Sequence, residues 1–186
     1  MPVWQQFYER HHKRGVDVLA IAMDSQGGDR VRPYIDAAGV TFPVAIDSQA
    51  VTGQLYGFKH VGHGFLVNTD GKLSYVHGIG FDVRLPDVAQ ALEQWAIDNR
   101  ILTSKRSPSN LRGAISSGAD ALFQDGLRFY QGGDHKKAVF LWRSALKMEP
   151  DSVIIHRHIW AVENPDRFYD GEIDQIWKRQ QIMDGL

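Results

Sequence analysis

The stretch Gly64-Phe65-Leu66-Val67-Asn68-Thr69-Asp70-Gly71-Lys72-Leu73-Ser74-Tyr75-Val76-His77 decides the fold class of the first half of the chain. Two strand-like runs, 64–68 and 73–77, flank a short polar segment that contains Asp70-Gly71. An Asp-Gly pair between two such runs is a strong β-hairpin signal, because glycine readily takes the left-handed backbone of a tight turn. The stretch therefore predicts two adjacent antiparallel strands.

The residues around the hairpin alternate between helical and extended patterns. Residues 3–14 place four aromatic side chains on one helix face and end at Gly15, a typical residue just beyond a helix. In chain order the predicted elements are helix 3–14, strand 16–23, helix 29–38, the extended segment 41–47, helix 50–56, the hairpin and helix 86–98. This order predicts an α/β domain with three or four strands.

Composition sets the class of protein. The chain has 186 residues, of which 43% are hydrophobic and 23% charged, so it can fold as one ordinary domain or two small ones. Its net charge is -1, which provides no basic field for nucleic acid or an anionic membrane. No apolar run approaches the roughly 20 residues of a membrane helix, and no signal peptide is visible. We expect neither nucleic acid nor membrane as a partner, and the compartment stays open.

The chain contains no cysteine. Disulfides, thiolate metal sites and a cysteine nucleophile are therefore excluded for this chain. A cysteine-free sequence is compatible with any redox compartment.

Several strings in the first hundred residues resemble the thioredoxin-like redoxins of the TlpA/ResA and peroxiredoxin types. The matching strings, in order, are Gly15-Val16-Asp17-Val18-Leu19-Ala20-Ile21, Phe42-Pro43-Val44, Tyr56-Gly57-Phe58-Lys59-His60-Val61-Gly62-His63-Gly64-Phe65-Leu66 and Asp70-Gly71. Each string is short, but their order and spacing together are specific. The resemblance implies an incomplete thioredoxin-like fold and a parent family of thiol-disulfide oxidoreductases, which are often extracytoplasmic.

Two departures from that family's pattern bear on function. The family's first core strand and its Cys-x-x-Cys would precede Met1, and the resemblance places the family's cis-proline at Gly62. Val61, Gly62 and His63 are thus a degenerate active-site loop. Thiol–disulfide exchange needs a thiolate, so the chain is expected to be redox-inactive. It is either a truncated form of a longer protein, with Met1 an internal methionine, or a degenerate redoxin.

Residues 101–113 differ in composition from both sides. Ser104-Lys105-Arg106-Ser107-Pro108-Ser109-Asn110 is polar and contains a proline, as is typical of a linker. We therefore expect a thioredoxin-like domain at 1–100 and an all-α domain at 114–186.

The second region carries one tetratricopeptide-like pattern. Helices are predicted at 114–131 and 134–148, joined at Gly132-Gly133-Asp134, and the spacing resembles a repeat of about 34 residues. The small, aromatic and proline positions of that repeat fall on Gly126, Phe129, Ala138, Trp142, Ala145 and Pro150. The small residues would let the helices approach closely. Phe129 and Trp142 would fill the space between them, and Pro150 would stop the second helix.

Both regions have a reason to associate with something else. Solenoids usually need about three repeats, so a lone repeat needs a cover. Further helices are predicted at 153–162 and 173–183, and Trp160, Phe168 and Trp177 are spare apolar groups for that purpose. The family strand absent here would lie between strands 16–23 and 64–68 and leave unpaired edges. We expect a protein or peptide partner and a homodimer or higher oligomer.

Histidines are the residues that could support other chemistry. His60 and His63 lie in the loop that replaces the proline loop, and His77 lies on the next strand, so the three could bind zinc or copper. Polar loop residues are the competing interpretation, because no carboxylate accompanies them at a ligand spacing. No cofactor is predicted. The sequence favours a redox-inactive protein-binding or scaffold module; the alternative is an enzyme with a histidine-bound metal centre or a cryptic hydrolase.

Overall fold

The computed structural model describes residues 1–98, 114–168 and 174–185. These residues form two compact units. The first comprises Met1–Ala22, Val31–Ile46 and the described part of Gly62–Leu111. The second comprises Met23–Arg30, Asp47–Val61 and the described part of Arg112–Leu186. The predicted linker 101–113 lies outside the described residues, and the domain boundaries at 1–100 and 114–186 stay a prediction.

The elements of the first hundred residues follow the predicted order. They are α1 Pro2–His11 with a 3-10 turn His12–Arg14, β1 Ala20–Ala22, α2 Gly28–Ala38, β2 Val44–Ile46, α3 Val51–Tyr56, β3 Gly64–Val67, β4 Leu73–His77 and α4 Pro86–Asp98. The proline at the first position of α1 fits there because the N–H that it lacks would have had no helical partner. Gly15 ends the turn with φ 87°. The predicted helices and the hairpin are confirmed.

The strands form two separate pairs. β1 lies parallel to β2 with Ile21 opposite Ala45, and β3 lies antiparallel to β4 with Phe65 opposite Val76. Strand pairing over 16–23 is limited to Ala20–Ala22, so that prediction was too long. The partner β2 is short because it follows Pro43 and is followed by Asp47, whose carboxylate accepts the Val51 N–H at the start of α3.

The core of the first unit lies between α1, α4 and the hairpin. Phe7, Val16, Leu66, Val88 and Leu92 are buried together. Seven half-buried side chains pack against them: Trp4, Val18, Tyr75, Phe81, Val83, Trp95 and Ala96. Val16 and Val18 thus contribute apolar side chains to the core from backbone outside the β1 ladder, which explains the apolar run at 16–23 without a long strand.

The remaining elements are helices: α5 Ser117–Gln131, α6 His135–Leu146, α7 Val153–Glu163, α8 Pro165–Phe168 and α9 Gln175–Gly185. Asp134 caps α6 by accepting the Lys137 N–H at 3.0 Å, and Ser152 caps α7. The short α8 was not predicted. Among the described residues, no helix is both long and apolar enough to cross a lipid bilayer.

The three tail aromatics pack on one another. Trp160 and Phe168 are buried, and Trp177 lies against both with edge-on ring geometry at 6.0 and 5.9 Å between ring centroids. Their use as a cover for the predicted repeat stays a prediction. α8 follows Asn164 and carries Phe168, which packs together with Trp177 against Trp160. The three side chains thus bury part of one another's surface.

Candidate functional site

Gly62 gives the degenerate active-site loop a backbone that proline cannot adopt. Its φ is +93°, in the left-handed region, whereas the proline ring fixes φ near −65°. The Gly62 carbonyl accepts the Phe81 N–H at 3.1 Å, so the loop is tied to the segment after β4. The structure therefore places a different turn at the position where the resemblance puts a proline.

Phe81 covers the start of β3, directly after this loop. Gly64 is buried, and a Cβ at that position would lie 1.8 Å from the Phe81 ring, so only glycine fits beneath it. The same ring packs on Trp4 at 5.1 Å and on His77 at 5.5 Å between centroids. The start of β3, directly after the exposed loop, is thus covered by aromatic packing.

The three histidines proposed as metal ligands have different surroundings. His77 is buried, and its Nδ1 donates to the Gly78 carbonyl at 2.9 Å. His63 stacks on Phe65 with 6.4 Å between the ring centroids, and His60 belongs to the segment Asp47–Val61 of the second unit. Within residues 1–98, 114–168 and 174–185, no group of three His, Cys, Asp or Glu side chains is placed to hold a metal ion. The metal-binding alternative is therefore supported by the sequence pattern alone.

Each of the four strands of the first unit has one edge without a described partner strand, and two of these edges belong to β1 and β3. The Ala20 N–H donates to the Pro43 carbonyl at 3.1 Å, so Ala20 faces β2. Successive residues of a strand direct their backbone groups to opposite edges, so Ile21 directs its N–H and C=O away from β2. No described strand pairs with that edge of β1, nor with the edge of β3 opposite β4. Leu19, Ile21 and Val67, which lie in or next to these two strands, are 61, 43 and 47% exposed.

A buried ion pair anchors the chain just before the degenerate loop. Lys59 Nζ lies 2.5 Å from Glu149 Oε2, and both side chains are mostly buried. Glu149 Oε1 accepts the Ser116 N–H at 2.9 Å, and the Lys59 carbonyl accepts the Ile154 N–H at 3.1 Å. The hydrogen bond from Lys59 is the largest cause of a lowered Glu149 pKa; burial opposes it, and the bond from Ser116 adds to it.

The α5–α6 pair is antiparallel and tightly packed. A Cβ on Gly126 would lie 2.3 Å from Trp142 Nε1, which itself donates to the Phe123 carbonyl at 3.1 Å. Ala138, Trp142 and Ala145 are completely buried.

Phe129 lies away from the contact with Trp142 that the repeat pattern predicts for it. Phe129 is half-buried beneath Lys137, whose Nζ lies 3.8 Å from the ring centroid, and Phe123 and Tyr130 are the α5 aromatics that contact Trp142. Phe123, Gly126 and Leu127 share one helix face at spacings of three and four, whereas Phe129 projects from another side. Pro150 is exposed and lies beyond the end of α6 at Leu146.

His158 on α7 completes this helical core. Its ring meets Phe123 and Trp142 edge-on at 5.0 and 5.5 Å between centroids, and its Nδ1 donates to the Ile154 carbonyl at 2.7 Å. Burial is the main cause that lowers the pKa of His158 from 6.5 to about 4. The imidazole is therefore neutral at physiological pH.

Sequence reasoning missed Phe81, Lys59 with Glu149, and His158. The sequence indicates that Phe81, an apolar residue beside Gly80, packs against another part of the chain. It does not indicate that this part is Gly64. Lys59 and Glu149 are 90 positions apart and carry no local signal. His158 was not among the candidates identified from the sequence, although the apolar residues around it in α7 could have indicated burial.

Comparison with known proteins gives partial matches of one kind. The chain is 32% identical to thiol-disulfide oxidoreductase ResA of Bacillus anthracis over 74 residues, which is 39% of this chain and 42% of that protein. It is 29% identical to thiol-disulfide oxidoreductase ResA of Geobacillus thermodenitrificans over 93 residues, or 50% of this chain and 52% of that protein. The chain thus spans about half or less of the length of these relatives.

These relatives support a thioredoxin-like redoxin. They indicate a family of thiol-disulfide oxidoreductases, and the absence of cysteine is consistent with a redox-inactive chain. The helix-rich structure with its few strands is compatible with an incomplete thioredoxin-like part followed by a helical region. No protein-family profile matches the chain. No solved structure matches it either.

Proposed function

We propose that this chain is a redox-inactive, thioredoxin-like module that binds a protein partner. The observation that carries the proposal is the division of the strands into two pairs, which leaves β1 and β3 each with an edge free of any described strand. An open edge with exposed apolar side chains is a template for an added strand. A two-stranded sheet is also marginal without further partners.

The partner proposed for these edges is an extended segment of protein, and a second copy of this chain is the first candidate. A symmetric dimer is the commonest closed solution for a chain that exposes a self-complementary edge. The exposed Leu19, Ile21 and Val67 would give such a segment apolar contacts. An interface of this kind should bury more than roughly 1,000 Å².

The helical region is proposed to act as one tetratricopeptide-like unit within this module. The close α5–α6 approach at Gly126 and the buried Ala138, Trp142 and Ala145 support that assignment. α7 contributes His158 to the same core, so it is proposed as the cover that a lone repeat needs.

The test uses light scattering of the chain at micromolar concentration and one pair of matched variants. A species of twice 21.0 kDa or larger is expected. Ile21→Pro removes the outward N–H and should shift the species to 21.0 kDa. Ile21→Thr keeps that N–H and should retain the oligomer. Far-UV circular dichroism of both variants confirms that they fold.

A clean 21.0 kDa species for the unmodified chain, with a cooperative melt and no binding of extended apolar peptides, would contradict the proposal. Redox activity is tested separately. We expect no insulin-disulfide reduction and no peroxide turnover above background, because no thiolate is present. Stoichiometric zinc or copper that is lost on His60→Ala or His63→Ala would favour the enzymatic alternative.

A further inference from the structure

A groove on the second unit lies between α6 and α7. It measures about 400 Å³ and is lined by His135, Lys136, Val139, Phe140, Arg143, Val162 and Glu163. The lining is mostly apolar at its floor and charged at its rim. A groove of this volume is large enough for two or three side chains of a bound peptide.

Phe140 is the most unusual residue of the groove. It is 69% exposed, although Val139 beside it and Val162 across from it are half-buried. A large aromatic side chain at the edge of an apolar groove is the type of residue that dominates binding energy at protein interfaces. The groove therefore offers an apolar contact that the described part of the chain does not cover.

The charges at the rim select the occupant. Arg143 is paired with Glu163 at 2.7 Å, so the single carboxylate of the groove is already engaged. Lys136 is exposed and makes no ion pair within the described residues. His135 stacks on Tyr130 at the same end of α6, with 4.7 Å between ring centroids. The uncompensated charge at the rim is therefore positive.

We propose that this groove binds an acidic peptide that carries an apolar side chain. The apolar side chain would pack on Phe140 and Val162, and carboxylates on either side would pair with Lys136 and compete with Glu163 for Arg143. The proposal concerns different residues from the strand edges, in the other compact unit. Failure of either proposal therefore leaves the other unaffected.

The test is fluorescence anisotropy of labelled probe peptides with the full chain at low salt. The probe Glu-Asp-Leu-Phe-Asp-Glu should bind. The basic peptide Lys-Lys-Leu-Phe-Lys-Lys and the peptide without apolar residues, Glu-Asp-Ser-Ser-Asp-Glu, should bind at least about tenfold more weakly. Amide chemical shifts in the nuclear magnetic resonance spectrum should change at 135–143 and 162–163.

Variants then separate this groove from general electrostatic attraction. Lys136→Glu and Phe140→Ser should each weaken binding about tenfold, whereas Glu163→Gln should strengthen it about threefold. Lys147→Glu makes the same charge change beyond the end of α6, outside the groove, and should change binding by less than about twofold. Both Lys136 and Phe140 are exposed, so their variants should melt like the parent chain.

Three results of the peptide experiments would overturn the proposal. They are equal binding of the basic peptide, an effect of Lys147→Glu as large as that of Lys136→Glu, and no anisotropy change up to about 1 mM chain. Binding to vesicles that contain anionic lipid, without binding of the acidic probe, would instead assign the groove to a membrane surface and also overturn it.

Discussion

Lys59 and Glu149 form an ion pair with 2.5 Å between Nζ and Oε2, although 90 positions separate them in the sequence. Each side chain is 12% exposed. Through Oε1, the same carboxylate accepts the Ser116 N–H, so one group joins three segments of the second unit. The chain just before the degenerate loop is therefore part of the helical unit and is held there by charge as well as by packing.

Lys59→Met should destabilise the second unit. The substitution leaves a buried carboxylate without its cation, and loss of one partner of a buried pair is costly. Asp151, 3.7 Å from Nζ, gives no compensation to Glu149 once the lysine is absent. We expect the free energy of unfolding in urea to fall by about 2–3 kcal/mol.

The control for this prediction is Lys72→Met. Lys72 pairs with Asp70 at 3.2 Å, but both side chains are exposed, at 81 and 53%. Exposed pairs contribute roughly 0–1 kcal/mol, so stability should hardly change. A loss of equal size in the two variants would contradict the buried-pair interpretation.

The Glu149 pair also predicts acid sensitivity. The pKa of Glu149 is lowered in the folded state, so the folded carboxylate stays ionised at pH values where the unfolded one takes up a proton. The stabilisation is present above the ordinary pKa of 4.5 and is lost as the pH falls through the folded value. Glu149→Gln should flatten the pH dependence of the urea midpoint below about pH 4.5.

His158 should give a second pH dependence at higher pH. Its pKa is lowered from 6.5 to about 4, so the unfolded state binds a proton first and stability falls between those values as pH decreases. The loss between pH 7 and pH 5 should be about 2 kcal/mol. His158→Phe should remove this slope, whereas His156→Phe should leave it, because His156 is only half-buried. An unchanged slope in His158→Phe would contradict a neutral buried imidazole.

The sequence predicted elements better than it predicted contacts. The hairpin was evident because Asp70-Gly71 determines the turn locally, and α1 was evident because its aromatics repeat at helical spacing. The length of β1 was not evident from the sequence. It depends on β2, which is bounded by Pro43 and Asp47, and no pattern within 16–23 indicates those bounds.

The candidate site was predicted less completely for the same reason. Gly62 was identified by its position, but its left-handed backbone and the Phe81 ring above Gly64 depend on residues that lie next to each other only after folding. Likewise, Phe123 rather than Phe129 contacts Trp142, because the rotation of α5 about its axis decides which of its side chains face α6. The repeat spacing predicted that rotation only approximately.

Gly126→Ala tests the close approach of α5 and α6. The added Cβ would lie 2.3 Å from Trp142 Nε1, and the indole is completely buried. We expect a loss of about 1–3 kcal/mol in the free energy of unfolding. Gly118→Ala lies in the same helix, but its Cβ would meet only the flexible end of Met148, at 2.8 Å. That control should be neutral or stabilising by up to about 1 kcal/mol, since alanine favours helix.

Gly62→Pro tests whether the degenerate loop can return to a proline conformation. Proline cannot reach φ +93°, so the substitution should displace the Gly62 carbonyl from the Phe81 N–H and loosen the Phe81 ring over Gly64. We expect a loss of about 2 kcal/mol or more, together with faster amide exchange in β3 and β4.

Gly62→Asn is the matched comparison for that variant, because asparagine tolerates left-handed backbone better than other residues with a side chain. Gly62 is exposed, so the amide needs no buried space, and the loss should be within about 1 kcal/mol. Hydrogen exchange at β3 and the fluorescence of Trp4, which packs on Phe81, would report both variants. If Gly62→Pro were as stable as the parent chain, the loop would be able to adopt the backbone of a proline turn. The left-handed backbone of Gly62 would then not be the feature that distinguishes this loop from the family pattern.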